Sequence, residues 1–358
     1  MKANIRKVDF TNKEIYIGLD VHTKSWYSTI IFEGVSMKKN FTADSTKLAQ
    51  YLQLNFPNGT YKAAYEAGCF GFWIKEELDG LGIETIVVNP SDIPTMGKDK
   101  VNKTDKKDSN KIAMALKGGM LTGIYVPTKE EQEHRCLTRR RNDIVKSRTR
   151  IKNKIKAYLK LFGISIPEQF SDNGKQWTKA FMKWLSEIKF RTEAGIDVLL
   201  SYIEEFKNTS DLLIKVSKKI KELSKTEKYS KQVKILSTMP GIAINGSMTI
   251  LTELGNMDRF KTIDEFINYV GLSPKENSSG ESRKIGHMSK RCNHYLRKIF
   301  IEGSWVAIRK DTALTLSYNE YCKRMLKTKA IIKIGRKLAS RARYLLLNNQ
   351  EYIIGIAQ

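Results

Sequence analysis

The sequence has little cysteine and no long apolar run. Its four cysteines, Cys69, Cys136, Cys292 and Cys322, are scattered without any C-x-x-C pair. This spacing argues against a cysteine zinc site and predicts reduced thiols. No stretch approaches about 18 consecutive apolar residues, which excludes a membrane span. The first residues also lack the apolar core of a secretory signal, so we expect a cytoplasmic protein.

Acidic residues are a clear minority in this chain. Asp and Glu number 38 against 63 Lys and Arg, which gives a net charge of +25. Such an excess of positive charge repels itself unless a polyanion neutralises it. Nucleic acid is therefore the favoured partner, and a generally basic composition without such a partner is the alternative. The length of 358 residues and the 41% hydrophobic content predict a globular chain of two or three domains.

Residues 14 to 120 alternate between strand and helix patterns. The stretch EIYIGLDVH predicts a strand that ends near Asp20, and two further strands follow at hairpin distance. A helix capped by Ser45, a strand ending at Glu66, a helix, a buried strand and a last helix complete the series. This order is typical of a mixed α/β domain.

Four acids of this domain form a candidate site. Asp20 and Glu66 lie at strand ends, where ligands of open sheets bind. Asp105 and Asp108 begin the last helix at a spacing that continues its apolar stripe, so they should point toward the sheet. Clustered carboxylates need a compensating cation, and oxygen ligands suit Mg²⁺ or Mn²⁺. The alternative for the helical pair is stabilisation of the helix dipole, about 0.3–1 kcal/mol each.

Residues 128 to 225 show no strand pattern and predict long helices. Apolar residues recur every seven positions, and a second seam position is only partly apolar, which predicts a coiled coil or a helical hairpin with an undetermined partner. The residues of the two seam positions are Leu137, Ile144, Ile151 and Tyr158, and Arg141, Arg148, Ile155 and Phe162.

The first of these helices is strongly basic. Residues 134 to 160 contain eleven Lys and Arg residues and one acid, Asp143. This excess of positive charge predicts a helix that binds phosphate groups. The alternative is a basic helix face that is only solvated. The candidate contacts are Arg139, Arg140, Arg141, Arg148, Arg150 and Lys152.

The C-terminal third is mostly helical in pattern and carries a long polar loop, GLSPKENSSGESRKIGHMSKRCNHYLRK. Before it, MPGIAINGSMTIL resembles a helix-hairpin-helix turn whose Gly241 would approach phosphate, with Ala243 where a second glycine is usual. A plain packing turn is the alternative. Further candidate phosphate contacts in the loop and the following helix are Arg283, Lys284, Lys290, Arg291 and Arg297.

Several spaced motifs together resemble known families. The strand, hairpin and helical D-x-x-D order resembles the ribonuclease-H-like fold of the RuvC Holliday-junction resolvases. The stretch KTDKKDSNKIAMAL and the region from Pro240 to Phe300 closely resemble the DEDD-type insertion-sequence transposases, the family of the Piv invertase and the RNA-guided bridge recombinases. The resemblance runs from about residue 14 to about residue 345.

The resemblance implies a fold class of α/β plus α and three domains. These are a ribonuclease-H-like, RuvC-like metal-binding domain at 1–125, a basic helical coiled-coil segment at 126–228 and a helical transposase domain at 229–358. It also implies that Asp20, Glu66, Asp105 and Asp108 are metal ligands and that Ser279, before Gly280, is a nucleophile. Ser278 is an adjacent competitor for that role.

The implied activity is cutting and rejoining of DNA. The family implies a structured guide RNA of the bridge type, a homo-oligomer (dimer or tetramer) and a place at the bacterial nucleoid. Two alternatives remain open: a Holliday-junction nuclease that acts through metal-activated water, and a non-catalytic nucleic-acid-binding protein.

Overall fold

The computed structural model describes residues 9–94, 105–172, 174–279, 282–289 and 291–355, with the backbone alone at 105–106, 275–279, 282–285 and 287. The chain forms two compact units, Met1–Val126 and Pro127–Gln358. The division of the second unit into a helical segment and a C-terminal domain stays a prediction.

The first unit contains a five-stranded mixed sheet with the order of elements expected from the sequence. The sheet order is β3-β2-β1-β4-β5. β1 and β2 are antiparallel, as are β2 and β3, whereas β4 runs parallel to β1 and to β5. This arrangement is compatible with the predicted ribonuclease-H-like domain. The elements are β1 (Glu14–Val21), β2 (Ser25–Phe32), β3 (Val35–Thr42), α1 (Ser45–Asn55), β4 (Thr60–Glu66), α2 (Trp73–Gly80), β5 (Ile83–Val88) and α3 (Asp105–Lys117).

The two faces of β1 are packed differently because side chains alternate along a strand. Ile15, Ile17 and Leu19 are fully buried in a core that includes residues of α1 and α2. On the other face α3 lies directly on the strand at Gly18. A Cβ at this glycine would lie 2.2 Å from the Ser109 carbonyl oxygen and 2.4 Å from the Ala113 nitrogen. Only glycine therefore permits this close approach of helix and strand.

The cap of α1 differs from the sequence prediction. Asp44, not Ser45, is the N-cap, and its carboxylate accepts hydrogen bonds from the Thr46 and Lys47 amides. Ser45 is buried, and its hydroxyl donates to the carboxylate of Glu77. Asp and Ser are equally good N-caps. The sequence pattern therefore did not show whether α1 begins after Asp44 or after Ser45.

In its described residues the second unit is helical apart from one hairpin. Within the described residues, no helix is both long and apolar enough to cross a membrane. The elements are α4 (Lys129–Leu161), α5 (Lys179–Ser186), α6 (Glu193–Leu223), α7 (Glu227–Ser237), α8 (Ile244–Leu254), α9 (Ile263–Val270), β6 (Pro274–Ser279), β7 (Ser282–Met288), α10 (His294–Ala307), α11 (Thr312–Arg324) and α12 (Lys327–Asn348).

The partner of the α4 seam is α6, and the two helices run antiparallel. Near one end the Tyr158 hydroxyl donates to the Gly195 carbonyl at 2.9 Å, and toward the other end Arg141 Nε donates to Ser217 Oγ at 3.1 Å. This antiparallel pair agrees with the helical-hairpin alternative, and the coiled-coil geometry of the segment stays a prediction. The seam ends before Phe162, whose side chain is exposed.

α4 contributes to more than one core. Ile151, Ile155 and Leu159 pack in a distal core with residues of α5 and α6. Nearer its start, Thr138 Oγ1 and Thr252 Oγ1 of α8 share a buried 2.9 Å hydrogen bond. The largest core of the unit lies around α8, α9, α10 and α12.

The prediction of a long polar loop after α9 is wrong in part, because residues 274–288 include a two-stranded antiparallel hairpin. Its Cα pairs run from Pro274 opposite Met288 to Ser279 opposite Ser282, with an irregularity between Pro274 and Glu276. The stretch is polar and lacks the alternation of apolar residues that identifies strands. Backbone pairing forms this hairpin without a sequence signal.

Candidate active site and nucleic-acid interface

Asp20 and Glu66 lie side by side at the ends of neighbouring parallel strands. Leu19 of β1 pairs with Tyr65 of β4, and each acid is the next residue along its strand. Two residues earlier, Gly18 lies under α3 and Ala64 packs with residues that include Ile112. Because every second residue shares a face of the sheet, both acids lie on the α3 side.

Asp108 lies in the first turn of α3 and continues its buried stripe, as predicted. Ile112 and Ala115 are almost fully buried, and the Asp108 side chain is only 15% exposed. Next to it, the buried Ser109 hydroxyl is 2.9 Å from Thr29 Oγ1 of β2. This hydrogen bond, together with the Gly18 contact, fixes the start of α3 against the sheet.

Two cations or potential cations contact these acids. Lys111 Nζ is 3.3 Å from Asp108 Oδ1, and its side chain is only 16% exposed. His22 Nε2 is 3.4 Å from Asp20 Oδ2, and this side chain is half exposed. Lys111 was not among the residues singled out from the sequence, although its i,i+3 spacing to Asp108 is one at which helical charges pair.

The metal-ligand set remains a prediction. In the described part of the chain no group of three or more His, Cys, Asp or Glu side chains is arranged to hold a metal ion. The side chain of Asp105 lies outside the described residues. The donor chemistry of Asp20, Glu66 and Asp108 nevertheless fits a hard divalent cation, because all of their ligand atoms are oxygen.

The predicted nucleophile lies at the end of a strand. Ser279 is the last residue of β6, and Ser278 precedes it. Their side chains and Gly280 lie outside the described residues. The turn that leads into β6 is closely packed: Gly271 has φ of +81°, and a Cβ there would lie 2.3 Å from Cys292 Cβ. A left-handed glycine is the usual way to end a helix such as α9.

Arg139, a predicted phosphate contact, has a carboxylate partner in the structure. Its Nε and Nη2 atoms donate to Glu253 Oε1 and Oε2 at 2.6 and 2.8 Å, and this pairing raises the pKa of the arginine. Glu253 is fully buried in α8 and also accepts a 2.7 Å hydrogen bond from Asn293 Nδ2. This pair joins α4, α8 and the start of α10. No pattern in the sequence indicates that Glu253 is buried.

The other predicted contacts on α4 differ in exposure. Arg140 and Arg150 are exposed, and Arg148 is half-buried. Burial, with a smaller contribution from the Arg148 charge, lowers the pKa of Arg141 and of Lys152. Arg140 and Arg150 are therefore the members of the set best exposed to a phosphate backbone, and the role of the whole set stays a prediction.

The C-terminal candidates are also spread over different environments. Arg291 is exposed, whereas Arg297 is half-buried and donates from Nη2 to the Ser289 carbonyl oxygen. Gly241 has φ of +85°, and a Cβ there would lie 2.3 Å from the Gly303 carbonyl oxygen of α10, which supports a packing role for this turn. For Arg283 and Lys284 the backbone in β7 is described, and Lys290 lies outside the described residues.

Comparisons with known proteins agree with these features. A family model of DEDD-type transposases matches residues 17–164, and the model described as the transposase IS116/IS110/IS902 family matches residues 233–319. The chain therefore belongs to the DEDD-type insertion-sequence transposases, which confirms the predicted family.

Individual relatives are distant but carry transposase names. The putative transposase y4qE of Sinorhizobium fredii is 29% identical over 241 residues, which are 67% of this chain and 57% of the relative. The transposase for insertion sequence element IS1533 of Leptospira borgpetersenii is 25% identical, over 68% of this chain and 70% of the relative. The putative transposase y4rJ of S. fredii is 26% identical, over 90% of this chain and 89% of the relative. The first match thus spans little more than half of the relative's length.

Proposed function

We propose that this protein is a DNA transposase or site-specific recombinase that cuts and rejoins strands with metal-bound acids and a serine nucleophile. The observation that carries the proposal is the adjacent placement of Asp20 and Glu66 on the α3 face, with Asp108 in the first turn of that helix. These acids lie within the region that matches the DEDD transposase model.

Asp20, Glu66, Asp105 and Asp108 are the residues that would hold Mg²⁺ or Mn²⁺. When bound, such an ion supplies stabilisation of the negative charge that develops on a phosphate under attack. The chain's own contribution is a rigid frame: α3 rests on Gly18, and Ser109 is hydrogen-bonded to Thr29. Lys111 adds positive charge beside Asp108.

In the proposed reaction the Ser279 hydroxyl attacks a DNA phosphorus. An Oγ–P bond forms, one ester P–O bond breaks, and the proton lost by serine is balanced by protonation of the leaving DNA oxygen. The covalent intermediate keeps the energy of a phosphodiester bond, so the reverse attack by a DNA hydroxyl rejoins strands without an external energy source.

Partners beyond DNA rest on the family resemblance. A structured guide RNA, a homo-oligomeric active form and the nucleoid as the place of action belong to the proposal for this reason. The exposed Arg140 and Arg150 on α4 are where we propose contact with a nucleic-acid backbone.

The test is a covalent protein–DNA adduct. RNA that co-purifies with the protein is retained, and the protein is incubated with end-labelled branched DNA and Mg²⁺, then denatured and separated by size. We expect a labelled adduct with the unchanged protein and with Ser278→Ala, and none with Ser279→Ala. Ser278→Ala is the matched control because it removes the same atom one residue away.

Two outcomes would contradict the proposal. If Ser279→Ala retains strand exchange, the serine is not the nucleophile, and cleavage by metal-activated water becomes the better mechanism. If Asp20→Asn and Asp105→Asn leave cleavage unchanged, the acids are not catalytic, and the proposed metal-dependent mechanism is wrong.

A further inference from the structure

A large groove in the second unit was not anticipated from the sequence. It has a volume of about 1280 Å³ and lies between the β6–β7 hairpin and helices α11 and α12. Pro274, Gly286 and Met288 of the hairpin region line one side of it. We call it the α12 groove.

The groove is rimmed by positive charge. Its lining contains no carboxylate among the residues that the structure describes, and six cations: Arg297, Lys329, Lys333, Arg336, Lys337 and Arg341. Five of these lie on α12 at spacings of four, seven, eight and twelve residues from Lys329, which is one face of a helix. Twelve residues of helix extend about 18 Å, so the basic rim is long enough to follow several nucleotides.

Nearby acids neutralise only part of this charge. Arg336 pairs with Asp264 at 2.9 Å, and Arg341 pairs with Asp311 at 3.2 Å. Across the described residues, Lys329, Lys333 and Lys337 form no ion pair with a carboxylate. Three like charges along one helix face repel one another, and a bound polyanion would relieve that repulsion.

The groove also has an apolar floor. Leu272, Tyr321, Met325 and Ile332 contribute to it. Lys333 and Lys337 have their Nζ atoms 5.3 and 5.5 Å from the centre of the Tyr321 ring. A charged groove that contains an aromatic side chain is the arrangement that binds single-stranded nucleic acid, with phosphates on the cations and bases or sugars on the apolar surface.

We propose that the α12 groove binds the DNA strand whose phosphate is attacked. The inference rests on the proposed function, because β6 forms part of the same hairpin and ends at Ser279. DNA is favoured over RNA for this reason: the strand that lies along the serine hairpin is the strand that is cut. Lys329, Lys333 and Lys337 contact its phosphates, and Tyr321 contacts its bases or sugars.

The test is the salt dependence of strand binding by the full chain. Ser279→Ala protein, which is not expected to react with DNA, is titrated with fluorescent single-stranded DNA at several salt concentrations. Each phosphate contact on a single strand contributes about 0.7 to the slope of log affinity against log salt. Replacing Lys329, Lys333 and Lys337 by Gln should reduce the slope by about 2, which corresponds to about 100-fold weaker binding at 0.1 M salt.

Matched variants separate the groove from general charge. Replacing Lys207, Lys215 and Lys218 by Gln removes three exposed lysines of α6 and should leave the slope unchanged. Replacing the three groove lysines by Arg keeps their charge and should keep the slope within about 0.5 of its original value. An equal loss with the α6 set would overturn the proposal, because net charge alone would then explain binding.

The nature of the ligand is tested in parallel with an RNA strand of the same sequence and with duplex DNA. Loss of RNA binding without loss of DNA binding in the groove variant would overturn the assignment to DNA, and a loss confined to duplex DNA would overturn the assignment to a single strand. The proposed function is judged separately by adduct formation in protein that retains Ser279. An unchanged slope with a normal adduct contradicts the groove alone, whereas the expected slope without any adduct contradicts only the serine mechanism.

Discussion

The pair formed by Arg139 and Glu253 gives the sharpest test of how the second unit is held together. Arg139→Gln leaves the fully buried Glu253 carboxylate without its bidentate partner. Breaking a buried ion pair from one side costs about 3–5 kcal/mol. The Arg139 side chain is 42% exposed, and the Arg135 guanidinium remains 3.9 Å away, so we expect the low end of this range, about 3 kcal/mol.

Thermal unfolding of the full chain, followed by far-ultraviolet circular dichroism, measures this loss. For a unit the size of Pro127–Gln358, each kcal/mol lowers Tm by about 2–4 °C, so Arg139→Gln should lower it by about 6–12 °C. Arg140→Gln is the matched control because Arg140 is the next residue and is exposed. It should leave Tm within about 1 °C and instead weaken binding to nucleic acid.

A second variant distinguishes the ion pair from loss of packing. Replacing Glu253 by Gln in the Arg139→Gln protein removes the uncompensated charge and should recover part of the lost stability, because the two effects are coupled. If Arg139→Gln unfolds at the same temperature as the unchanged protein, the buried pair does not stabilise the unit. Arg139 would then again be a candidate phosphate contact.

Three further outcomes can be checked by similar unfolding measurements. Gly18→Ala should destabilise the first unit by about 3 kcal/mol or more, because its Cβ would meet the Ser109 carbonyl at 2.2 Å; unfolding unchanged in denaturant would show that α3 can move away freely. Thr29→Val should cost about 1–3 kcal/mol by leaving the Ser109 hydroxyl without this partner, and Thr29→Ser should cost less. Burial raises the pKa of Asp311, but hydrogen bonds led by the Tyr352 hydroxyl outweigh it and hold the pKa below 3.8. The ionised Asp311 carboxylate therefore adds its full share to the free energy of unfolding above this ordinary value, and that share disappears as pH falls through the lowered pKa. Asp311→Asn should flatten the acid side of a curve of stability against pH. An acid side that stays unchanged would contradict this role of Asp311.

Local patterns were enough to predict the order of elements in the first unit. β1 and β5 are largely apolar stretches with β-branched residues, and α3 has a helical apolar stripe through Ile112 and Ala115 that Asp108 continues. These signals are properties of neighbouring residues, and so is the placement of Asp20 and Glu66 at strand ends. The contact between Gly18 and α3 was not predictable in this way, because it depends on a helix that follows ninety residues later.

The second unit shows the opposite case. Nothing in the α8 sequence distinguishes Glu253 from a solvent-exposed acid, since its burial depends on Arg139 of α4, 114 residues away. The basic face of α12 was equally hard to assign, because a charged helix face is ordinary until a groove is seen beside it. The hairpin before α10 lacked any alternation of apolar residues, and its strands are defined by backbone pairing alone.

The continuity of α4 has a mechanical consequence. The helix has 33 residues without glycine or proline, and at about 1.5 Å per residue it is about 50 Å long. One part is held to α8 by Thr138 and Arg139, and the far part belongs to the distal core. Since the helix contains neither glycine nor proline, where sharp kinks usually occur, we expect it to tilt as one rigid rod. The far end lies about 33 Å beyond Arg139, so a tilt of about ten degrees at α8 moves it by about 6 Å, which is a little under two base-pair steps of DNA.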